Sequence, residues 1–326
     1  MISLKTLAWS SAIPLLAAGL AGAHAGDWPE RPVKLVVSHA PGSSTDIVAR
    51  YVASRLAQTW RQPIVIENRP GGQNIIGAQA AARAAPDGYT LFYGTTGAIT
   101  SNAYTIKKLP YDPAADFVPI RFIAYSPFMV AASPALPAAD LKEALSRSRQ
   151  HPGSLRVATE GAKTFSGILG SAIAALAQAD WVAVPYSKSS EALQDTMAGR
   201  ADLVILPAAV VAPHIETGRL RVLAVSTASR LANAPSIPAL GETLPGFGMA
   251  GWHMLMAPAG TPAAIVNRLN QELNAVLAKP EVAAHLASLG MAAAPELASI
   301  ADNQAFLKRE RDTWAGVVEQ IGLQPE

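Results

Sequence analysis

The sequence predicts an α/β protein of two lobes with a ligand cleft between them, and three observations lead there. Strand-like and helix-like patterns alternate from residue 33 to residue 95, and the same alternation starts again near residue 128 with different material. The chain is also long enough for two domains once its apolar N-terminus is set aside, at about 300 residues. Half of its residues are apolar and only 15% are charged, a balance that suits well-buried cores and not a disordered chain.

Taken in order, "VKLVVS" (33–38) is a short β-branched run. "TDIVARYVASRLAQTW" (45–60) carries Ile47, Val48, Tyr51, Val52, Leu56 and Trp60 at helical spacing. "PIVIENR" reads as a strand, "PGGQN" as a turn, "IIGAQAAARAA" as a helix, and "PDGYTLFYGT" as a turn entering another strand. This β-α-β-α-β rhythm implies a parallel sheet with helices on its faces, which places ligands at the carboxyl ends of the strands. The second set opens with "FMVAAS" (128–133) and continues with "LRVATEGAKTFSGILGSAIAALA" (155–177), again strand, polar turn and helix. "VAVPYSKSSEALQDTMAG", "ADLVILPAA" and "GRLRVLAVST" follow, then a Pro-rich passage, "NAPSIPALGETLPGFGMAGWHMLMAPAGTP", that reads as a long ordered connection. Two helices close the chain, "AAIVNRLNQELNAVLAKP" and a segment from Ile300 to Gln320. The expected lobes are 26–125 for the first, 126–222 for the second and 223–326 for a return to the first.

Residues 1–25 read as a cleaved export signal. Lys5 is the only charge before an apolar run broken by Ser10, Ser11, Pro14 and Gly19, and the run ends in the small-x-small pattern Ala23-His24-Ala25. The mature chain is then expected in the periplasm. There is no cysteine, so disulfides, thiolate metal sites and lipid attachment are all excluded. A formal charge of +2, or +1 without Lys5, and the lack of Lys/Arg blocks argue against a nucleic-acid binder. No segment after the signal has the roughly 20 uninterrupted apolar residues that a membrane-spanning helix needs.

Catalytic and metal motifs are missing. The mature chain has His39, His151, His214, His253 and His285, none of them in an i, i+4 pair, and no HExxH. It contains neither a G-x-S-x-G elbow, nor a phosphate loop, nor G-x-G-x-x-G. His39, Ser43 or Ser44, and Asp46 form a triad on paper, but residues this close in one tight turn rarely reach triad geometry. A non-enzymatic protein without cofactor or metal is therefore expected. What does recur is a polar, Gly-containing turn that opens a helix, with backbone N–H groups and the positive helix end directed at one point. Such a turn suits an anion. "PGSSTD" (41–46) is one instance, with a hydroxyl residue N-capping the helix. "TEGAKTFSG" (159–167) is the other, and two such turns on two lobes suggest a clamp on one ligand.

The residues "PERPVKLVVSHAPGSSTDIVAR", "QPIVIENRPGGQNIIGA", "AAPDGYTLFYGTTG", "LPYDPAADFVPI", "VPYSKSSEALQDTMAGRADL" and "PGFGMAGWHMLMAPAGTPAAIVNRLNQELN" resemble, block after block and in order, the Bug-type (TctC-like) solute-binding proteins of tripartite tricarboxylate transporters. The resemblance implies a type II periplasmic-binding fold closing over a small carboxylate, whether a dicarboxylate, an amino-acid-like acid or an aromatic acid. It also implies a monomer whose partner is a membrane transporter or, equally consistent with the residues, a sensor protein. Carried over position by position, the first-lobe site is Gly42, Ser43, Ser44, Thr45 and Asp46, with Thr95 and Thr96 nearby. The second-lobe site is Gly161, Ala162, Lys163 and Thr164, with Tyr186 and Asp202 as walls.

Departures from the family pattern single out particular residues. Ser43 stands at the second Gly of the first turn and adds a hydroxyl while giving up backbone freedom. His39 stands where Phe or Tyr is usual, and the family's G-x-G-S appears as Gly161-Ala162-Lys163-Thr164. Lys163 at a helix N-terminus is unfavourable unless an anion lies close, and its alternatives are solvent or a pair with Glu160. His39 and Lys163 together suggest a ligand with at least two acidic groups.

Overall fold

A computed structural model describes residues 28–325, so the expected signal segment lies outside the described residues. Ten strands among them build two five-stranded sheets. The first sheet contains β1 (Val33–Val37), β2 (Ile64–Asn68), β3 (Thr90–Thr95), β4 (Phe117–Ser126) and, from late in the chain, β10 (Gly251–Pro258). The second contains β5 (Phe128–Ala132), β6 (Arg156–Thr159), β7 (Val182–Pro185), β8 (Leu203–Pro207) and β9 (Arg221–Val225). Their orders are β2-β1-β3-β10-β4 and β7-β6-β8-β5-β9.

The two orders share one plan. In each sheet three strands run parallel, and one antiparallel strand is inserted next to the third. That inserted strand is always the one that follows a crossing from the other lobe. The chain leaves β4 and enters β5 through Pro127 alone, and it leaves β9 to enter β10. The fold is thus a two-lobed α/β type with periplasmic-binding topology. Apolar side chains fill both faces of each sheet: Val33, Leu35, Val48, Leu56 and Leu269 on one face of the first, Phe92, Phe122, Trp252 and Met254 on the other.

Three differences from the sequence reading concern the end of the chain and the lobe border. The stretch 251–258, read as part of a connection, is a central strand with all eight residues buried. Its apolar run has no period-2 alternation because both faces are covered, and only alternation marks a strand plainly in sequence. Second, the chain returns to the first lobe later than residue 222: β9 runs to Val225, and Leu240 and Met249 still pack in the second-lobe core. Third, a further helix, Pro280–Ser288, lies between the two expected C-terminal ones, started by a Pro at its first position.

The C-terminal helix, Ile300–Gln320, belongs to neither lobe alone. Phe306 and Leu307 pack in the first lobe beside Trp252, whereas Trp314 and Val317 pack in the second beside Phe165 and Ile168. Ser299 and Asp302 cap it reciprocally. This helix and the two strand crossings are the connections that join the lobes.

Candidate functional site

The first turn begins where β1 ends. Gly42 has φ of +79°, which a side chain would resist, and Ser43 is the N-cap of helix Ser44–Trp60 through its Oγ, which accepts from the Asp46 backbone N–H at 3.2 Å. Asp46 is buried, and its carboxylate is occupied on all sides. Oδ2 accepts from the Gly42 N–H at 2.8 Å and from Arg50 Nε at 2.9 Å, and Oδ1 accepts from Asn68 Nδ2 at 2.8 Å. Burial pushes its pKa up, but the bonds from Arg50, Asn68 and Gly42 outweigh that and hold it below the usual carboxylate range. Asp46 therefore shapes the turn from behind.

The second turn has the same construction. Gly161 has φ of +128°, and Thr164 caps helix Phe165–Ala177, accepting from the Gly167 N–H at 3.3 Å and donating to the Gly161 carbonyl at 2.7 Å. A Cβ on Gly167 would stand 2.1 Å from the Gly161 carbonyl oxygen, so the turn lies directly on its own helix. Gly161 and Ala162 serve this closure.

Both turns face one cleft of about 580 Å³ between the lobes. From the first lobe it is lined by His39, Gly42, Ser43, Ser44, Thr45, Thr95 and Thr96, and from the second by Lys163 and Thr164. The structure thus brings nine of the fourteen expected residues together. Asp46, Gly161, Ala162, Tyr186 and Asp202 do not line it. The Tyr186 hydroxyl donates to Asp195 at 2.8 Å. Asp202 precedes β8 and binds the backbone N–H and guanidinium of Arg156, which opens β6. That is the amino end of the parallel strands, opposite the end where the turns converge, so Asp202 is not a cleft wall.

Several lining residues escaped the sequence reading. Trp252 and His253 arrive on β10, and Thr96 Oγ1 accepts from the Trp252 backbone N–H at 2.8 Å. Gln73 and Asn74 come from a turn in which Gly71, Gly72, Gln73 and Asn74 all have positive φ. Two consecutive non-Gly residues in that region are a strained arrangement, of the kind that clusters at functional sites. The "PGGQN" motif was the available signal, but it suggests only a turn. Beyond Thr96 the chain forms a π-helix, Gly97–Ser101, whose Gly97 and Ser101 also reach the cleft. Phe128 and Phe165, with ring centroids 4.5 Å apart, make an apolar patch in the second lobe.

The electrostatics bear on the two-acid expectation drawn from His39 and Lys163. Burial lowers the His39 pKa to about 4; burial and then the neighbouring His39 lower that of His253 to about 3. Both imidazoles are neutral near pH 7, and His253 Nδ1 lies 3.0 Å from the Tyr93 hydroxyl. Lys163 Nζ donates to the Gln324 carbonyl at 3.3 Å. Besides Lys163, the groups in the cleft suited to an anion are helix-end N–H groups and hydroxyls. Thr95, which lines the cleft, adds one more donor: its hydroxyl is buried and has no hydrogen-bond partner among the described residues. Leaving such a group unpaired costs about 1–3 kcal/mol, and an acceptor in the cleft relieves that cost.

Residues 48–323 match the family model for tripartite tricarboxylate transporter family receptors. The chain belongs to this family. Among its relatives, BugT of Bordetella pertussis is 31% identical over 310 residues, covering 94% of each chain. An adipate-bound protein of R. palustris is 32% identical and superposes with a TM-score of 0.80 over 92% of this chain and 100% of its own. MatC of Rhodopseudomonas palustris, solved with malate, is also 32% identical, with a TM-score of 0.77 over 89% of this chain and 100% of its own. The expected family and fold class hold for this receptor.

Proposed function

We propose that this receptor captures a small carboxylate in the interlobe cleft, in the periplasm, and presents it as a closed monomer to a tripartite tricarboxylate-type transporter. One observation carries the reading: two helix-opening turns, one from each lobe, face the same cleft in which the buried Thr95 hydroxyl lacks a partner. Ser43 and Thr164 are used as caps and the Gly42, Ser43 and Asp46 N–H groups are bonded within the turn, so the groups left for a carboxylate are the Ser44 and Thr45 N–H groups, the Ser44, Thr45 and Thr95 hydroxyls, and the Phe165 and Ser166 N–H groups that open the second helix. Waters can bridge the remaining gaps at little energetic loss. Only a closed form makes both sets of contacts, so ligand shifts the population by its differential affinity. The triad drawn on paper from His39, Ser43 or Ser44, and Asp46 is not assembled: His39 Nδ1 lies 3.5 Å from Ser38 Oγ, Ser43 caps the helix, and Asp46 is turned away. The relatives that hold adipate and malate support the ligand class.

Calorimetry of the mature chain against mono-, di- and tricarboxylates is the test. Saturable heat with at least one of them is expected. Binding of a sugar or a cation, with no heat from any carboxylate, overturns the reading.

A further inference from the structure

Glu160 is the feature of the cleft that carboxylate capture leaves unexplained. It follows β6 as the first residue of the second turn, and its side chain lines the cleft. Its backbone N–H is spent on Ser166 Oγ at 2.9 Å. Its carboxyl accepts one hydrogen bond, from Ser189 Oγ at 2.7 Å, and among the described residues it has no second bond and no ion pair. Of the residues that line the cleft, Glu160 and Lys163 are the acidic and basic side chains, beside the neutral imidazoles of His39 and His253. A carboxylate in a site made of N–H and O–H donors works against an incoming diacid. Burial leaves little solvent to screen that repulsion. The same carboxylate is a ready acceptor for a cationic group on the ligand, through a charge-assisted hydrogen bond.

We propose that Glu160 sets the ligand class by accepting a protonated amine that the ligand carries beside its carboxylate, so the cleft prefers a zwitterionic amino acid to a diacid of matched length. This rests on the carboxylate reading above. The ligand carboxylate meets the helix-end donors and the Thr95 hydroxyl, and its ammonium meets Glu160 across from them. Burial raises the Glu160 pKa and the Ser189 bond partly opposes the rise, and a cationic group beside the carboxyl would lower it further. The inference replaces the two-acid expectation drawn from His39 and Lys163.

The test uses matched acids that differ in one group. Valerate and norvaline share a chain and differ by an α-amine; glutarate and 4-aminobutyrate share a spacer and differ by a terminal carboxylate or ammonium. Titration calorimetry of the mature protein is expected to show one amine-bearing acid binding about ten- to hundred-fold more tightly than its match, the range of a charge-assisted hydrogen bond. Glu160→Gln keeps an acceptor for Ser189 Oγ, so thermal melting should register a folded protein. In this variant that preference should collapse while glutarate binds more tightly than to the wild type. If neither amine-bearing acid exceeds its match in the wild type, or if the preference survives Glu160→Gln, the inference is overturned and carboxylate capture stands. Failure of every carboxylate to bind overturns both.

Discussion

Asp46 and Thr95 illustrate two ways in which a polar residue serves a binding site. Both Asp46 carboxylate oxygens are bonded and Asp46 does not line the cleft, whereas Thr95 lines it with a hydroxyl that has no partner among the described residues. Asp46→Ala strands the Gly42 N–H, Asn68 and Arg50, so it is expected to lower both stability, by about 1–3 kcal/mol, and affinity. Thr95→Val removes an unpaired buried hydroxyl at nearly constant volume. Affinity for carboxylates should fall about ten-fold while denaturant stability holds or rises, and the two variants are compared by urea melts and calorimetry. The buried imidazoles make a separate prediction. Their folded pKa values lie below the ordinary 6.5, so the stability they contribute is present above 6.5 and is lost as pH falls toward about 4 for His39 and 3 for His253. NMR titration should therefore show neither ring protonating between pH 8 and pH 5.5.

Among the elements, the C-terminal helix connects the cleft to a second group with a displaced pKa. Glu310 on this helix accepts from Trp252 Nε1 at 2.8 Å, and Trp252 lines the cleft from the other side. Burial raises the Glu310 pKa to about 7, against the bond from Trp252 and the charge of Arg309. Its contribution to stability is complete below the ordinary 4.5 and is lost as pH rises through about 7, opposite in sign to that of the histidines. Because the two trends overlap between pH 4.5 and 6.5, the informative comparison is wild type with Glu310→Gln. The variant should melt at a higher temperature above pH 7, and the gap should close toward pH 4.5. Strand β10 is the other element with a double role. It completes the first sheet between β3 and β4 and delivers Trp252 and His253 to the cleft.

For the whole molecule, the connections between lobes determine what motion is available. Pro127, the β9–β10 crossing and the C-terminal helix join the lobes, and the cleft lies between the sheets they connect. In the proposed closure, rotation about those connections would bring Ser44 and Thr45 toward Lys163 and Thr164. Small-angle scattering is expected to show a smaller radius of gyration with saturating ligand than without. An unchanged radius at full saturation would rule out capture by closure.

Much of the fold was legible because its signals are local. Val33–Val37, the Pro-Gly corner and the helical spacing from Ile47 to Trp60 specify a strand, a turn and a helix within a few residues of one another, as does the segment from Arg156 to Ala177. Hydrogen-bonding capacity and conformational freedom at Gly42, Ser43 and Thr164 are properties of the residues themselves, so the two anion-suited turns could be read without coordinates. Strand β10 could not be, because a run covered on both faces loses the alternation that announces a strand. The positions of Asp46, Asp202 and Glu160 were decided only in three dimensions. Each is a carboxylate near a turn or strand end in sequence. Which one is sealed by Arg50 and Asn68, which one pairs with Arg156 at the far end of the sheet, and which one lines the cleft depends on partners 4 to 46 residues away. Sequence alone determined where the backbone turns. Tertiary packing decided which charges those turns leave exposed to the cleft, because burial and pairing are set by distant neighbours.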